Sequence, residues 1–306
     1  MKKTANAILL LLSVTACTGT KVAPPVVERP TAKIALALGG GAARGFAHIG
    51  VIKALEAQGI SPDIVVGTSA GSVVGALYAS GLNGFQIQEL SMNMEEDQVL
   101  DGSGMYRCIA ETVISNKRGC IKGEALQDFI NKNVKYRPIE KLDRHFAAVA
   151  TNLSNGEMMV FQTGNTGIAV RASSSVPVFF QPVTINAKDY VDGGLVTPVP
   201  VSVARTLGAD FVIAVDISDR PQDRATTGIV DILWQTFTIF GQTINRYELP
   251  KADVVVRPVT YGIPATDMSG RNIAVLEGEK AVAKILPELK AKLAKLNEER
   301  HVSGMP

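Results

Sequence analysis

The feature that most constrains the fold is a serine flanked by glycines, placed between an apolar run and a helix-like stretch. Gly67 and Gly71 lie two residues to either side of Ser69, after the apolar residues 64–66 and before the small residues 72–79. This order predicts a strand, a sharp turn and a helix, with the serine at the apex. A strained turn of this kind needs glycine at its flanks because larger residues would clash. The hydroxyl would then lie at a helix N-terminus, which favours negative charge.

Glycine-rich turns also serve packing alone, so the interpretation depends on two further segments. The strand-like run at residues 34–38 leads into Gly-Gly-Gly-Ala-Ala-Arg-Gly at residues 39–45, where unhindered N–H groups at a helix start suit an anion. Downstream, Asp192 is followed by the turn residues Gly193 and Gly194. A serine elbow, an anion-binding loop and an aspartate are the parts of an acyl-transfer site.

The chain has only three histidines to complete a catalytic triad. His48 is expected on a helix surface or in the core, His145 beside a strand, and His301 in a charged tail. The order Ser69, Asp192, histidine matches α/β-hydrolases, but only one strand precedes the elbow strand, whereas that fold needs several. The sequence therefore favours a dyad in which the aspartate accepts the serine proton. Partial desolvation would raise the pKa of this carboxyl above about 3.9 and improve it as a base.

In order and spacing, the blocks at residues 39–45, 67–71 and 192–194 resemble the signatures of the patatin-like phospholipases, most closely their bacterial branch. The resemblance extends over residues 33–218. It implies that Ser69 is the nucleophile and Asp192 the base. The loop residues that it implies for the oxyanion hole and substrate binding are Gly39, Gly40, Gly41, Arg44 and Gly45.

The alternation of predicted strands and helices indicates the same architecture, an α/β layered fold with a mostly parallel central sheet flanked by helices. Strands are expected at residues 34–38, 64–66, 146–151 and 211–216. The helix at residues 228–248 carries a broad apolar face that suits core packing, with a lipid-facing or acyl-pocket helix as the alternative. Helical spacing continues over residues 282–296, where Pro287 is expected to kink or restart the helix.

These observations predict a serine acyl hydrolase that forms an acyl-serine intermediate on lipid esters, as an esterase, phospholipase A or lysophospholipase. The alternatives are an acyltransferase that uses the same site and a non-catalytic envelope lipoprotein. No cofactor or metal is expected. The glycine loop matches neither dinucleotide-binding nor Walker patterns. The net charge is +2 with two lysines in the leader, so no nucleic-acid partner is expected.

The N-terminal sequence predicts an export signal. Lys2 and Lys3 precede an apolar run at residues 5–14, which is too short to span a bilayer. Val-Thr-Ala-Cys at residues 14–17 resembles the lipobox of bacterial lipoproteins and implies lipidation of Cys17. The alternatives are an ordinary cleaved signal and an uncleaved anchor. Thr18 after the cysteine favours the periplasmic face of the outer membrane in a bacterial cell envelope.

The predicted organisation has four parts. Residues 1–16 form the signal peptide, 17–31 a lipidated, proline-containing tether, 32–300 the catalytic domain and 301–306 a tail. In an exported protein, Cys108 and Cys120 are a candidate disulfide, with two buried free thiols as the alternative.

Overall fold

A central sheet of eight strands runs through the part of the chain that the structure describes. The structure, a computed structural model, describes residues 32–94, 117–223, 226–263 and 268–302. In chain order the strands are β1 (Ile34–Leu38), β2 (Ile64–Thr68), β3 (Gly119–Ile121), β4 (His145–Asn152), β5 (Met158–Phe161), β6 (Val178–Phe180), β7 (Val183–Ile185), β8 (Lys188–Asp192), β9 (Phe211–Val215) and β10 (Val254–Val256).

The helices of the described residues pack on this sheet. They are α1 (Phe46–Glu56), α2 (Ala70–Ala79), α3 (Gly84–Met92), α4 (Glu124–Asn133), α5 (Thr166–Ser173), α6 (Val201–Thr206), α7 (Ile229–Glu248) and α8 (Arg271–Val302). Short 3₁₀ turns lie at Ala42–Gly45, Ile139–Lys141, Gly193–Leu195, Pro221–Asp223, Leu249–Lys251 and Met268–Gly270.

The sheet order is β10-β9-β1-β2-β4-β8-β7, with β5 also paired to β4. The first five strands of this order are parallel to one another, whereas β5, β7 and β8 pair antiparallel. Strands β3 and β6 form a separate two-stranded sheet. The predicted α/β fold with a mostly parallel sheet is therefore confirmed, and the four predicted strands are present with ends shifted by no more than two residues.

Both faces of the parallel strands are buried, as their continuous apolar sequences require. Side chains alternate across the sheet, so Leu36 and Leu38 join the larger core cluster while Ala35 and Ala37 join the smaller one. The larger cluster includes residues of α1, α2, α3 and α8, and the smaller one residues of α6. The described members of both clusters belong to one compact unit that begins at Ala32, so this unit has a hydrophobic core of its own.

Strand β4 brings two distant parts of the chain together. Strand β5 pairs with one edge of β4, over the second half of that strand. The stretches of β4 that pair with β2 and with β8 each include residues that also pair with β5. Strands β2 and β8 therefore both lie along the opposite edge of β4. Thr68, the last residue of β2, lies opposite Val149, and Asp192, the last residue of β8, lies opposite Ala150. The register therefore places the ends of β2 and β8 beside adjacent residues of one strand.

Helices α1 and α8 pack closely through two glycines. A Cβ atom at Gly50 would overlap the carbonyl of Val275, and one at Gly278 would overlap the carbonyl of Ala47. Helix α8 runs without interruption through Pro287, so the predicted restart does not occur. It also extends two residues into the predicted tail.

Two predicted modification sites fall where no structure is described. Cys17 and Cys108 lie outside the described residues. Cys120, in β3, is disulfide-bonded, and its partner also lies outside them. Lipidation of Cys17 and the Cys108–Cys120 pairing therefore stay predictions.

Candidate active site

Ser69 occupies a strained turn between β2 and α2. Its φ of 54° and ψ of −124° are rare for a residue with a side chain, and such strain is common at functional sites. A Cβ atom at Gly67 would overlap the backbone of Gly71 and Ser72, and one at Gly71 would overlap the carbonyl of Leu38. Close backbone packing therefore requires glycine at both flanks of the turn.

A buried serine on α5 secures the backbone of this turn. The N–H of Ser69 donates to Oγ of Ser173 at 2.9 Å, and that hydroxyl donates to the carbonyl of Val149 at 2.6 Å. This bridge ties the strained residue to β4, the strand that also pairs with β8. The sequence analysis assigned no role to Ser173.

Asp192 is the last residue of β8 and precedes the 3₁₀ turn Gly193–Leu195, so it lies at a strand end rather than in an isolated turn. Its Oδ1 accepts a hydrogen bond from the N–H of Gly194 at 2.7 Å. Its Oδ2 is buried and has no partner at standard hydrogen-bond geometry among the described residues. A side chain at Gly193 is excluded because its Cβ would overlap the carbonyl of Val149.

Burial raises the pKa of Asp192 to about 6 because desolvation penalises the charged carboxylate. The nearby Ser69 hydroxyl, and then the N–H of Gly194, oppose this rise. The serine hydroxyl is thus near enough to the carboxylate to act on its pKa. The pair has the composition and environment of a nucleophile beside a base that is ionised at neutral pH.

The glycine loop offers fewer free N–H groups than its sequence suggests. The N–H of Gly39 donates to the carbonyl of Val215 at 3.0 Å, and the N–H of Gly40 donates to that of Pro198, also at 3.0 Å. These two glycines anchor the loop, so their N–H groups are engaged in this structure. Within the described residues the N–H of Gly41 has no such partner. Of the three predicted glycines, Gly41 therefore retains a donor for a ligand.

Two buried side chains hold the carbonyls of this loop. Nε of Arg44 donates to the carbonyl of Gly41 at 3.1 Å, and its guanidinium forms an ion pair with Asp219. His48 Nε2 lies 2.8 Å from the carbonyl of Gly39. Burial lowers the pKa of this imidazole to about 4, so it is neutral and donates from Nε2. Arg44 and His48 are thus positioning residues for the loop.

The remaining predicted loop residue, Gly45, has a packing role. A Cβ atom there would lie 2.7 Å from the Cβ of Ala70, directly after the serine. The sequence analysis missed the roles of His48 and Asp219. The position of His48, one helical turn after Arg44, was the available signal for the histidine. Asp219 follows β9, and only the three-dimensional fold brings it to the loop.

Two cavities meet at Ser69. The first, of about 200 Å³, is lined mainly by apolar side chains, many of them from α1 to α4. The second, of about 140 Å³, contains Asp192 and the inner face of α7. Neither His48 nor His145 lines either cavity, and His301 lies in the last turn of α8, where its side chain is not described. The residues that line both cavities are Ala42, Ser69, Val176 and Trp234.

The cavity walls include a row of side chains on α2 and a stacked aromatic pair. In the first, Val73 and Leu77 lie one and two helical turns after Ser69 on the same side of α2. Between the two cavities, Trp234 stacks on Phe179 with ring centroids 5.1 Å apart. The arrangement can hold an apolar chain on one side of the serine and a polar group on the other.

Within the described residues, no group of three or more histidine, cysteine, aspartate or glutamate side chains is arranged to hold a metal ion. None of the described helices combines the length and hydropathy needed to cross a bilayer.

Comparisons with known proteins agree with the motifs and the fold. The family model of patatin-like phospholipases matches residues 36–205. Human patatin-like phospholipase domain-containing protein 6 is 33% identical over 200 residues, which are 63% of this chain and 14% of that protein. Lysophospholipase NTE1 of Meyerozyma guilliermondii is 33% identical over 214 residues, 70% of this chain and 14% of that protein. The chain thus spans about one seventh of the length of these curated relatives.

Among solved structures, VipD from Legionella pneumophila superposes with a TM-score of 0.53 at 16% identity, covering 85% of this chain and 67% of VipD. At this identity the likeness concerns the fold alone. The family model covers more than half of the chain, and its boundaries include the serine elbow, the glycine loop and the aspartate. This chain belongs to the patatin-like phospholipase family.

Proposed function

We propose that this protein hydrolyses carboxylic esters of lipids through an acyl-serine intermediate, with Ser69 as nucleophile and Asp192 as base. The observation that carries the proposal is the position of this pair at the junction of an apolar and a more polar cavity. The acyl chain occupies the apolar cavity, and the alcohol part of the ester occupies the cavity that contains Asp192. The lysophospholipase name of one relative agrees with this substrate class.

In the first half-reaction, Oγ of Ser69 attacks the ester carbonyl while its proton passes to Oδ2 of Asp192. The developing oxyanion accepts a hydrogen bond from the N–H of Gly41. A preorganised donor of this kind contributes about 3 kcal/mol in analogous sites. The bond from the carbonyl carbon to the alcohol oxygen then breaks, and the proton moves from Asp192 to the leaving alkoxide.

The second half-reaction restores the enzyme. Water attacks the acyl-serine carbonyl and gives a proton to Asp192, which is ionised again after the first half-reaction. Collapse of the tetrahedral intermediate releases the fatty acid, and the proton returns to Oγ of Ser69. An acyltransferase would follow the same course with another acceptor alcohol in place of water.

The test uses the compact unit from Ala32 onward, which has its own hydrophobic core, on esters ranging from short p-nitrophenyl esters to lysophospholipid and diacyl phospholipid. Fluorophosphonate should label Ser69. Ser69→Ala should lose labelling and turnover, and Asp192→Asn should lose turnover by about 10³-fold with the fold intact by circular dichroism. Full activity of Asp192→Asn would refute the base assignment. Labelling without hydrolysis would instead favour an acyltransferase, and no labelling a non-catalytic lipoprotein.

We also propose that the protein is a lipid-anchored member of the bacterial lipoprotein branch, held at the periplasmic face of the outer membrane. The support is the leader sequence, with its two lysines, short apolar run and Cys17 in a lipobox-like context. Several acyl chains on one cysteine give stable anchoring, whereas a single chain gives only marginal binding. Fatty-acid labelling in bacterial cells should be abolished by Cys17→Ser. Labelling that persists in this variant would refute lipidation at this cysteine.

A further inference from the structure

Helix α7 exposes a row of large apolar side chains on its outer side. Single exposed apolar residues are common on soluble proteins, but an aligned group marks an interaction surface. The members recur at intervals that place them along one side of a helix. This outer stripe consists of Ile229, Ile232, Ile239, Phe240 and Tyr247, which are 81%, 56%, 47%, 56% and 75% exposed.

The charge pattern of α7 matches an apolar environment on its outer side. No aspartate, glutamate, lysine or arginine occurs from residue 232 to residue 245. A helix facing water ordinarily carries charges on its outer side. An uncharged outer side with large apolar side chains suits contact with a lipid interface.

The stripe is continuous with the catalytic cavity. The inner side of α7 contributes Trp234 and Phe237 to the cavity that contains Asp192. Phe240 lines this cavity and is also 56% exposed, so it lies at the mouth. A lipid surface in contact with the outer stripe would therefore lie against the entrance through which a lipid ester reaches Ser69.

The inner side also fixes α7 to the segment between β9 and the next 3₁₀ turn. The side-chain amide of Gln242 donates to the carbonyl of Asp219 at 2.9 Å, and that of Asn245 donates to Oγ of Ser218 at 3.2 Å. These inward hydrogen bonds hold the helix in place, so it presents its outer side as a fixed surface.

Basic side chains surround the C-terminal end of α7. Arg220, Arg246 and Arg257 are exposed and line a third cavity of about 600 Å³. Arg257 lies 3.5 Å from Asp216, and no described acid pairs with the other two arginines. Positive charge beside an apolar stripe complements anionic headgroups beside acyl chains.

The structure points to a docking surface: the outer stripe of α7, together with Arg220 and Arg246, seats the protein on the surface of an anionic lipid assembly, with the cavity mouth at Phe240 facing the lipid. The identity of the substrate rests on the proposed function, but docking does not require catalysis. The lipid ester then enters the cavity from the layer on which the helix lies.

The test measures co-sedimentation of the protein from Ala32 onward, carrying Ser69→Ala, with vesicles of phosphatidylcholine and phosphatidylglycerol. The stripe variant is Ile229→Ser/Ile232→Ser/Ile239→Ser. Its matched control replaces three apolar residues exposed elsewhere, Met158→Ser/Ile273→Ser/Leu276→Ser. The stripe variant should lose about tenfold or more in vesicle affinity, whereas the control should keep it. Equal binding of both variants would overturn the proposal.

Two further measurements separate the alternatives. Arg220→Gln/Arg246→Gln should weaken binding to vesicles that contain phosphatidylglycerol, and not to pure phosphatidylcholine, with a reduced dependence on salt. Equal loss on both lipids would overturn the electrostatic part. Stripe-dependent dimerisation of the protein without vesicle binding would assign the stripe to a second copy and overturn lipid docking.

Activity distinguishes this proposal from the proposed function. With Ser69 restored, the stripe variant should keep its turnover of a soluble short-chain ester and lose about tenfold on the same acyl ester embedded in vesicles. Equal turnover on both, relative to the control, would overturn docking while leaving ester hydrolysis in place. Vesicle binding that depends on the stripe, with no ester hydrolysed by any form, would refute the proposed function alone.

Discussion

The two cavities that meet at Ser69 are built in different ways. The first is walled by side chains of α1 to α4, many of which belong to the main hydrophobic core. The second is walled by the glycine loop, by the segment that carries Asp219 and by α7, and it is held by an ion pair and hydrogen bonds. The apolar cavity is thus an extension of the core, whereas the more polar one depends on individual polar contacts.

This difference indicates which changes each side tolerates. The shape of a cavity walled by the core should change most with substitutions that alter side-chain volume, since packing there is dense. A cavity held by hydrogen bonds and an ion pair should be disrupted by the loss of a single partner, because the polar groups left behind are buried and unpaired. Substitutions on the two sides should therefore alter different kinetic parameters.

Among changes around the two cavities that leave Ser69 and Asp192 in place, the largest expected effect comes from the loop of the more polar cavity. Arg44→Met should lower kcat for a soluble ester about 100-fold with little change in KM, because the carbonyl of Gly41 loses its partner and its N–H is no longer aligned. Arg44→Lys should not restore kcat, since a lysine lacks the planar fork that contacts Gly41 and Asp219 together. The matched control is Arg118→Met, which breaks an exposed pair with Asp189. A raised KM at unchanged kcat would contradict this role.

The next effect concerns the apolar cavity. Val73→Phe, one turn from Ser69, should lower kcat/KM about tenfold or more for long acyl chains and leave acetyl esters unaffected. Leu77→Phe, about 12 Å along the helix from the serine, should reduce activity only on the longest chains. The two variants are each other's control for overpacking, which costs about 1–3 kcal/mol of stability. A chain-length series of p-nitrophenyl esters measures the shift, and identical profiles would show that acyl chains do not follow α2.

The pH dependence of hydrolysis tests the polar side directly. In the proposed mechanism Asp192 must be ionised to accept the serine proton, and burial raises its pKa to about 6. Activity should therefore be full above this pH and fall about tenfold per unit below it. The measurement is kcat/KM for a soluble ester from pH 4.5 to 8, checked by melting at each pH. A profile that stays flat down to about pH 4 would mean that the carboxyl is not desolvated during turnover.

The last effect is on stability and has the opposite sign to the effect on activity. Because the folded pKa of Asp192 exceeds its ordinary value of 3.8, the folded state binds more protons between pH 3.8 and about 6, and stability falls as pH rises through this range. Asp192→Asn should therefore increase the free energy of unfolding at pH 7, by at most about 3 kcal/mol, and by much less at pH 4. Urea unfolding at both pH values measures this, and a loss of stability at pH 7 would contradict it.

Much of the site was predictable because its local rules are strict. The turn around Ser69 needs glycine on both sides, and the apolar runs of β1, β2 and β9 can be little other than buried strands. The antiparallel pairing of β8 was not predictable, because its short sequence shows no clear alternation of apolar and polar residues. The engagement of the Gly39 and Gly40 N–H groups also depends on partners far along the chain, at Val215 and Pro198.

The pairing register of β4 has a consequence for how relatives of this protein can diverge. The proposed nucleophile, Ser69, follows the end of β2, and the proposed base, Asp192, ends β8. Both strand ends lie beside adjacent residues of β4, so the separation of the two residues is set locally and not by the chain of more than a hundred residues between them. Insertions or deletions in the connections between these strands can therefore change the rim of the site without altering its reactive centre. The sheet keeps the chemistry constant while the surrounding loops remain free to acquire new substrate preferences.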